Sequence, residues 1–433
     1  MKLPRAFPAL LVLAAATPLA AGAPVPVQQR GESVVEAVRS TMRGTTFDAA
    51  ALRDKLRAAG PDAPRAVFEL LLEGEVDGLE LSPAQRVILG HTLRSLPLET
   101  LRGSLATLAR SQRPTAELAL ALELLGDAGC GQDLDLALRL AAPASGDAAV
   151  EPRLRRELDR TLSRILRREP AATARLPKLL RTCPPTLAYA LCRAVGERGA
   201  EGGLTALARS LDAVDSMDPI VLVELIRCAR RTPEAADELA RSAVRARYAH
   251  EEDPDTLVLT AQASLALDDR EAIFELVPLL SAGVPSVADA AHRALVELTG
   301  LTWDAEPETW ATWLREEQLW WERDYPRCQE HVASGSLGEA AEGIRELSLK
   351  RIYPDEATAA LLPALERREA VVVVLACRVL ATRGGRGAIC GLMGLLDHPA
   401  TSVRTEAWFA LQRITGLSFP LDPAPWRDRF PGC

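Results

Sequence analysis

The side chains whose types and spacing suit chemistry are few, and most gather in one stretch of the chain. Glu316 and Glu317 lie among Trp313, Trp320 and Trp321. Acids beside aromatic rings are what a glycan-binding or glycan-cleaving site uses, with the carboxyls working as acid, base or nucleophile. The same letters fit an amphipathic helix, because Trp310, Trp313 and Trp320 recur near one face while Glu316 and Glu317 fall partly off it. Packing is the favoured reading. An exposed Trp321 would instead make the cluster a partner-binding hot spot, where Trp is enriched. The five histidines (His91, His250, His292, His331 and His398) are scattered along the chain. No zinc-type Cys/His spacing, HExxH, GxSxG, phosphate loop or Gly-rich dinucleotide turn occurs. Gly384-Gly385-Arg386-Gly387 reads as a turn inside a helical hairpin. Arg153, Arg155, Arg156 and Arg160 are interleaved with Glu151, Glu157 and Asp159, which reads as a solvated helix face with internal ion pairs. No catalytic residue, metal or cofactor is assigned.

Lys2 and Arg5, an apolar run over Ala6–Ala21, and the small residues Ala20 to Ala23 have the layout of a secretory signal peptide, assigned to residues 1–23. The apolar run carries Pro8 and Pro18 and falls short of the roughly 20 unbroken residues of a bilayer span. A mature chain without a membrane span, exported to the periplasm or the exterior, is therefore expected. Export permits disulfides among the eight cysteines. Cys377 with Cys390, and Cys183 with Cys192, are the candidate pairs, each placed to staple a helical hairpin. The alternative is that they serve as small buried apolar residues.

The elements that must carry these side chains are helical. Ala, Leu, Arg and Glu dominate, apolar content is 48% and charged content 25%, so the chain has the composition of folded protein. A net charge of −8 argues against a general nucleic-acid binder, which needs a basic face. From Phe47 onward, apolar residues recur every three or four positions, with Ser-Pro, Asp-Pro and Gly signals between segments. The hairpins expected are Val150–Arg167 with Ala171–Arg181, Pro185–Gly196 with Gly203–Leu211, and Pro219–Arg230 with Pro233–Tyr248. No segment alternates long enough to be assigned as a strand.

One block is written twice. Residues 255–310 reappear without a gap as 371–426, with 18 identities in 56 positions. Such internal duplication is the mark of a repeat array. The shared ends are the most telling: Thr299-Gly300-Leu301 leads through Pro307 to Trp310, and Thr415-Gly416-Leu417 leads through Pro423 to Trp426. Gly300 and Gly416 would end a helix, Pro307 and Pro423 restart a short one, and Trp310 and Trp426 plug the preceding hairpins. His292 stands where the other copy has Trp408, so packing is the favoured role for it. What the first copy has alone is an insertion, 315–326, carrying Trp320-Trp321.

Asp397-His398-Pro399 followed by Val403-Arg404, Ala407 and Ala410-Leu411 resembles the second half of a bacterial HEAT repeat. The Thr-Gly…Pro…Trp tail is similar to one in exported HEAT-like proteins. That resemblance implies an all-α fold, an α-solenoid with a right-handed superhelix of stacked antiparallel helical hairpins. The iron-binding HEAT-type hydroxylases carry several His-Glu pairs, and here there is one, His250-Glu251. The organisation expected is a signal peptide over 1–23, a linker over 24–46, an N-terminal hairpin array over 47–253, a first HEAT-like block over 254–330 and a second over 331–433. The function expected is a non-enzymatic scaffold that binds a protein or envelope component on its concave face. The alternative is carbohydrate or cell-wall binding through Trp313, Glu316, Glu317, Trp320 and Trp321.

Overall fold

A computed structural model describes residues 36, 38, 49–58, 63–76, 79–94, 101–109, 114–142, 150–198, 202–211, 213, 215–383 and 386–433. The proposed signal peptide and nearly all of the proposed linker lie outside them. The chain folds as two compact units, Met1–Gly129 and Cys130–Cys433.

The first unit holds α1 (Ala49–Ala58), α2 (Ala63–Glu73), α3 (Pro83–Arg94), α4 (Arg102–Leu108) and α5 (Thr115–Ala128). Between α2 and α3 lies a two-residue antiparallel ladder, β1 (Glu75–Val76) on β2 (Leu79–Glu80). It is an addition to the strandless sequence reading, too short for any periodicity to announce. Ser82 and Gln85 cap α3 reciprocally: Ser82 N–H donates to Gln85 Oε1 (2.9 Å), and Gln85 N–H to Ser82 Oγ (3.3 Å). Leu52, Leu56, Val67, Phe68, Leu89 and Leu93 are buried in this unit.

The second unit is a succession of helices that pack as pairs. Its first part comprises α6 (Leu134–Ala141), α7 (Pro152–Arg168), α8 (Leu176–Leu180), α9 (Pro185–Gly196), α10 (Gly203–Ala208), α11 (Asp218–Arg231) and α12 (Glu238–Arg247). The first copy of the duplication contributes α13 (Pro254–Ala266), α14 (Ile273–Leu279), α15 (Pro285–Thr299) and α16 (Pro307–Arg323). Then come α17 (Tyr325–Ser334), α18 (Leu337–Leu349) and α19 (Pro354–Leu365), and from the second copy α20 (Ala370–Arg383), α21 (Ile389–Gly394), α22 (Thr401–Thr415) and α23 (Pro423–Arg429).

Most helices pack on the helix two places along, and many also on a sequence neighbour. One series runs α7–α9–α11–α13–α15, and beside it run α8–α10–α12 and α14–α16. Further on, α17–α19–α21–α23 and α18–α20–α22 repeat the rule. Helices on either side of residues 253 and 254 pack directly, so the packing runs through that boundary of the sequence reading. Two clusters of buried apolar residues fill the duplicated region, one over 261–314 with Ile352 and one over 328–426. Trp321 packs against both. None of the described helices is long and apolar enough to cross a membrane.

Candidate functional site

The two tails match in their hydrogen bonding. Gly300 and Gly416 close α15 and α22 at φ 71° and 70°, a left-handed conformation that a Cβ disfavours. Their amides donate to Val296 and Gln412 carbonyls, both at 2.8 Å. The rings of Trp310 and Trp426 are fully buried. Their indole N–H groups donate back to the carbonyls of Asp304 (2.9 Å) and Pro420 (3.1 Å), six residues upstream in each copy. His292 and Trp408 do the same work: each ring nitrogen bonds the carbonyl eleven residues on, of Trp303 or Phe419, at 2.7 Å. His292 is thereby engaged in packing and backbone bonding.

Helix α16 carries the acid–aromatic cluster, and its geometry separates the members. Glu316 is exposed, whereas Glu317 is buried to 5% exposure. The sequence reading put both carboxylates partly off the packed face. Glu317 in fact lies seven residues, two turns, after Trp310 and so shares its face. It accepts a hydrogen bond from the Arg351 amide (3.2 Å) and pairs with Lys350 Nζ (3.5 Å). That ammonium also lies 4.5 Å from the centre of the Trp320 ring. Trp313, Trp320 and Trp321 are half-buried, and their rings meet other rings edge-on or tilted. Trp313 meets Trp303 and Trp310, Trp320 meets Trp321 at 5.2 Å, and Trp321 sits between Tyr325 (4.7 Å) and Tyr353 (5.4 Å). Rings held this way, with one acid turned inward onto a lysine, form the joint between two cores.

No protein-family model matches this chain. A comparison with curated proteins also finds no match. The functional reading therefore rests on geometry.

A cleft of about 360 Å³ opens beside that joint, lined by residues of α12, of the turn after α13, of the start of α19, and by Arg383 from α20. Its floor is an ion-pair network. Asp269, 1% exposed, receives Arg245 Nη1 at 2.6 Å, and the same guanidinium reaches Glu271 (3.1 Å) and Glu238. Asp269 Oδ2 is buried with no hydrogen-bond partner, and burial pushes this carboxyl above its ordinary value against the pull of Arg245. Arg383 donates to the carbonyls of Leu347 and Lys350. Burial, with Arg351 and Arg270 nearby, brings its guanidinium down to about 10. Two non-glycine residues in the described chain have positive φ, Asp268 (48°) and Tyr353 (53°), and both line this cleft. Backbone of that kind persists where surrounding structure holds it. The sequence reading missed the cleft. Its one local signal was Asp268-Asp269-Arg270-Glu271 standing where the other copy has a glycine-rich turn.

The disulfide differs from both candidate pairs. Cys390 on α21 is bonded to Cys433, 43 residues on, which ties the C-terminal residue to the last hairpin. Cys377, fully buried in the core beneath α22, is a free thiol, as are Cys183 and Cys192. Burial pushes all three thiols up to about 12, so they behave as small apolar side chains. Among the described residues no group of three or more His, Cys, Asp or Glu is arranged to hold a metal ion.

Proposed function

We propose that this chain is an exported, non-enzymatic scaffold built as a HEAT-like α-solenoid, which binds a protein or envelope component along its repeat surface. The observation that carries the reading is the packing rule: helix n stacks on helix n + 2 along α7–α9–α11–α13–α15 and α8–α10–α12, and again along α17–α19–α21–α23 and α18–α20–α22. Sequence neighbours such as α9 and α10, α14 and α15, or α21 and α22 pack as hairpins. Stacked hairpins of that kind share one elongated core, and the surface they present is long and suited to extended contacts. The matching tails at Trp310 and Trp426 support a repeat unit used twice. The Cys390–Cys433 bond fits an oxidising compartment, and so supports export of a chain whose start has the layout of a signal peptide. Engagement of the Trp313, Trp320 and Trp321 rings with neighbouring rings, and of Glu317 with Lys350, favours this reading over a carbohydrate site.

Two measurements test it together. The mature protein used as bait on an envelope extract, with mild crosslinking, is expected to enrich a discrete partner over a heat-denatured bait. Recovery of background proteins alone overturns the scaffold reading. Tryptophan fluorescence titrated with peptidoglycan fragments and polysaccharides is expected to stay flat, and a saturable shift abolished by Trp321→Ala would move the assignment to a glycan binder.

A further inference from the structure

The segment 151–231 holds sixteen basic side chains against ten acidic ones, inside a chain that is acidic overall at 51 against 59. The excess is concentrated on one helix. Along α7, Arg153, Arg156, Arg160, Arg164 and Arg167 follow one another at spacings of three or four residues. At 100° per residue they fall within an arc of about 80° and run for about 21 Å. Leu154, Leu158, Leu162, Ile165 and Leu166 occupy the opposite, buried face, and all five arginines are exposed. The stripe borders a cleft of about 300 Å³ between α7 and α9, where Arg160, Ser163, Arg164 and Arg167 face Arg193.

The ion pairs expected to neutralise this face are incomplete. Arg160 pairs with Glu157 (2.6 Å) and Arg193 with Glu197 (3.6 Å). Arg153, Arg156 and Arg167 meet no carboxylate among the described residues. Outside the arc of the stripe, a second basic cluster joins α7, α9 and α11. Tyr189 on α9 lies between the guanidinium of Arg155, 5.8 Å from its ring centre, and that of Arg227 on α11, 5.9 Å away. Arg227 also donates to the Tyr189 hydroxyl at 2.8 Å.

We infer that this arginine stripe is a docking surface for an acidic protein segment in extended conformation. This rests on the scaffold reading and names the chemistry of its partner. An extended chain advances about 3.3–3.6 Å per residue, so roughly six residues span the stripe. Carboxylates meet guanidinium groups two-pronged, which suits a row of exposed arginine forks. Asp159 and Glu197 also line the cleft. Their charge opposes a dianionic phosphate more than it opposes single carboxylates. Duplex DNA is the poorer match, since it carries one charge per about 1.7 Å and would extend past the stripe onto an acidic remainder.

The test is fluorescence anisotropy of a labelled peptide alternating Glu and Ser, titrated with the full chain at low salt. Saturable binding is expected, weakened by added salt and reduced on the order of tenfold or more in Arg156→Ser/Arg160→Ser/Arg164→Ser. The matching triple lysine variant keeps the charge and is expected to retain most of the binding, which separates lost charge from lost fold. Arg345→Ser/Arg413→Ser, on α18 and α22 far along the chain from the stripe, is expected to bind as the parent does. No saturable binding, equal weakening by the Arg345/Arg413 pair, or tighter binding of a phosphopeptide or duplex DNA than of the acidic peptide would each overturn the assignment. If the acidic peptide fails while the envelope bait captures a partner, this inference falls and the scaffold reading stands.

Discussion

Asp269 is a carboxylate taken almost wholly out of water, with one oxygen on Arg245 and the other without a partner. Desolvation outweighs the guanidinium, so its pKa lies above the ordinary 3.8 in the folded protein. For an acid shifted upward, the folded state holds the proton more tightly than the unfolded chain. Its stabilising contribution is full below 3.8 and is lost as pH rises through the folded value. Asp269→Asn keeps the shape, removes the titration and leaves Arg245 with Glu238 and Glu271. The melting temperature of the parent minus that of the Asn variant is therefore expected to be largest near pH 4 and to shrink toward pH 7. A difference that grows with pH would mean that the ion pair with Arg245 dominates and the carboxyl stays charged throughout. At this scale the sequence is nearly silent. Asp268-Asp269-Arg270-Glu271 reads as a turn, and which carboxyl swings inward depends on the left-handed φ of Asp268 and on Arg245, 24 residues upstream.

The helix ends were the most readable elements, because the duplicated block lets each copy check the other. Gly300 and Gly416 occupy the same left-handed position, and a Cβ on either would meet no neighbouring atom within 4 Å. The penalty for alanine there is purely conformational. Gly300→Ala and Gly416→Ala should each cost about 1 kcal/mol in urea unfolding, with Gly→Asn costing less because asparagine tolerates that region better. Unequal costs at the two sites, beyond the scatter of such measurements, would argue that the copies are held differently despite matching hydrogen bonds. Helix α16 was read less well. Its apolar spacing was visible, but Glu317 falls on the buried face at the same spacing as the tryptophans. A carboxylate there is misread until its partners, Lys350 and the Arg351 amide beyond the next two helices, are known. The disulfide failed to be legible for a related reason. Cys433 is far from Cys390 in sequence, and only the fold of the last tail brings the two together.

For the whole molecule, what matters is how far a local disturbance spreads. A chain whose helices contact the neighbours one and two places along has no element that touches everything, so its stability approximates a sum of local terms with nearest-neighbour couplings. The duplicated region holds two apolar clusters that meet at Trp321, and Trp426 belongs to the far one. Trp426→Ala removes a fully buried ring from the end of the array, a change of about 3–5 kcal/mol. In a repeat array that loss should be confined. Hydrogen exchange read by mass spectrometry should show protection falling over α21, α22 and α23, falling less in α17–α19, and staying at parent values in α9, α11 and α13. Uniform loss of protection from residue 185 to the C-terminus would instead mark a single cooperative core and defeat the solenoid reading. The helical periodicity made the helical content readable from sequence, since it is a local signal repeated many times. Where the two cores meet was not readable, because Trp321 packs against both and its neighbours Tyr325 and Tyr353 carry no local pattern that marks them.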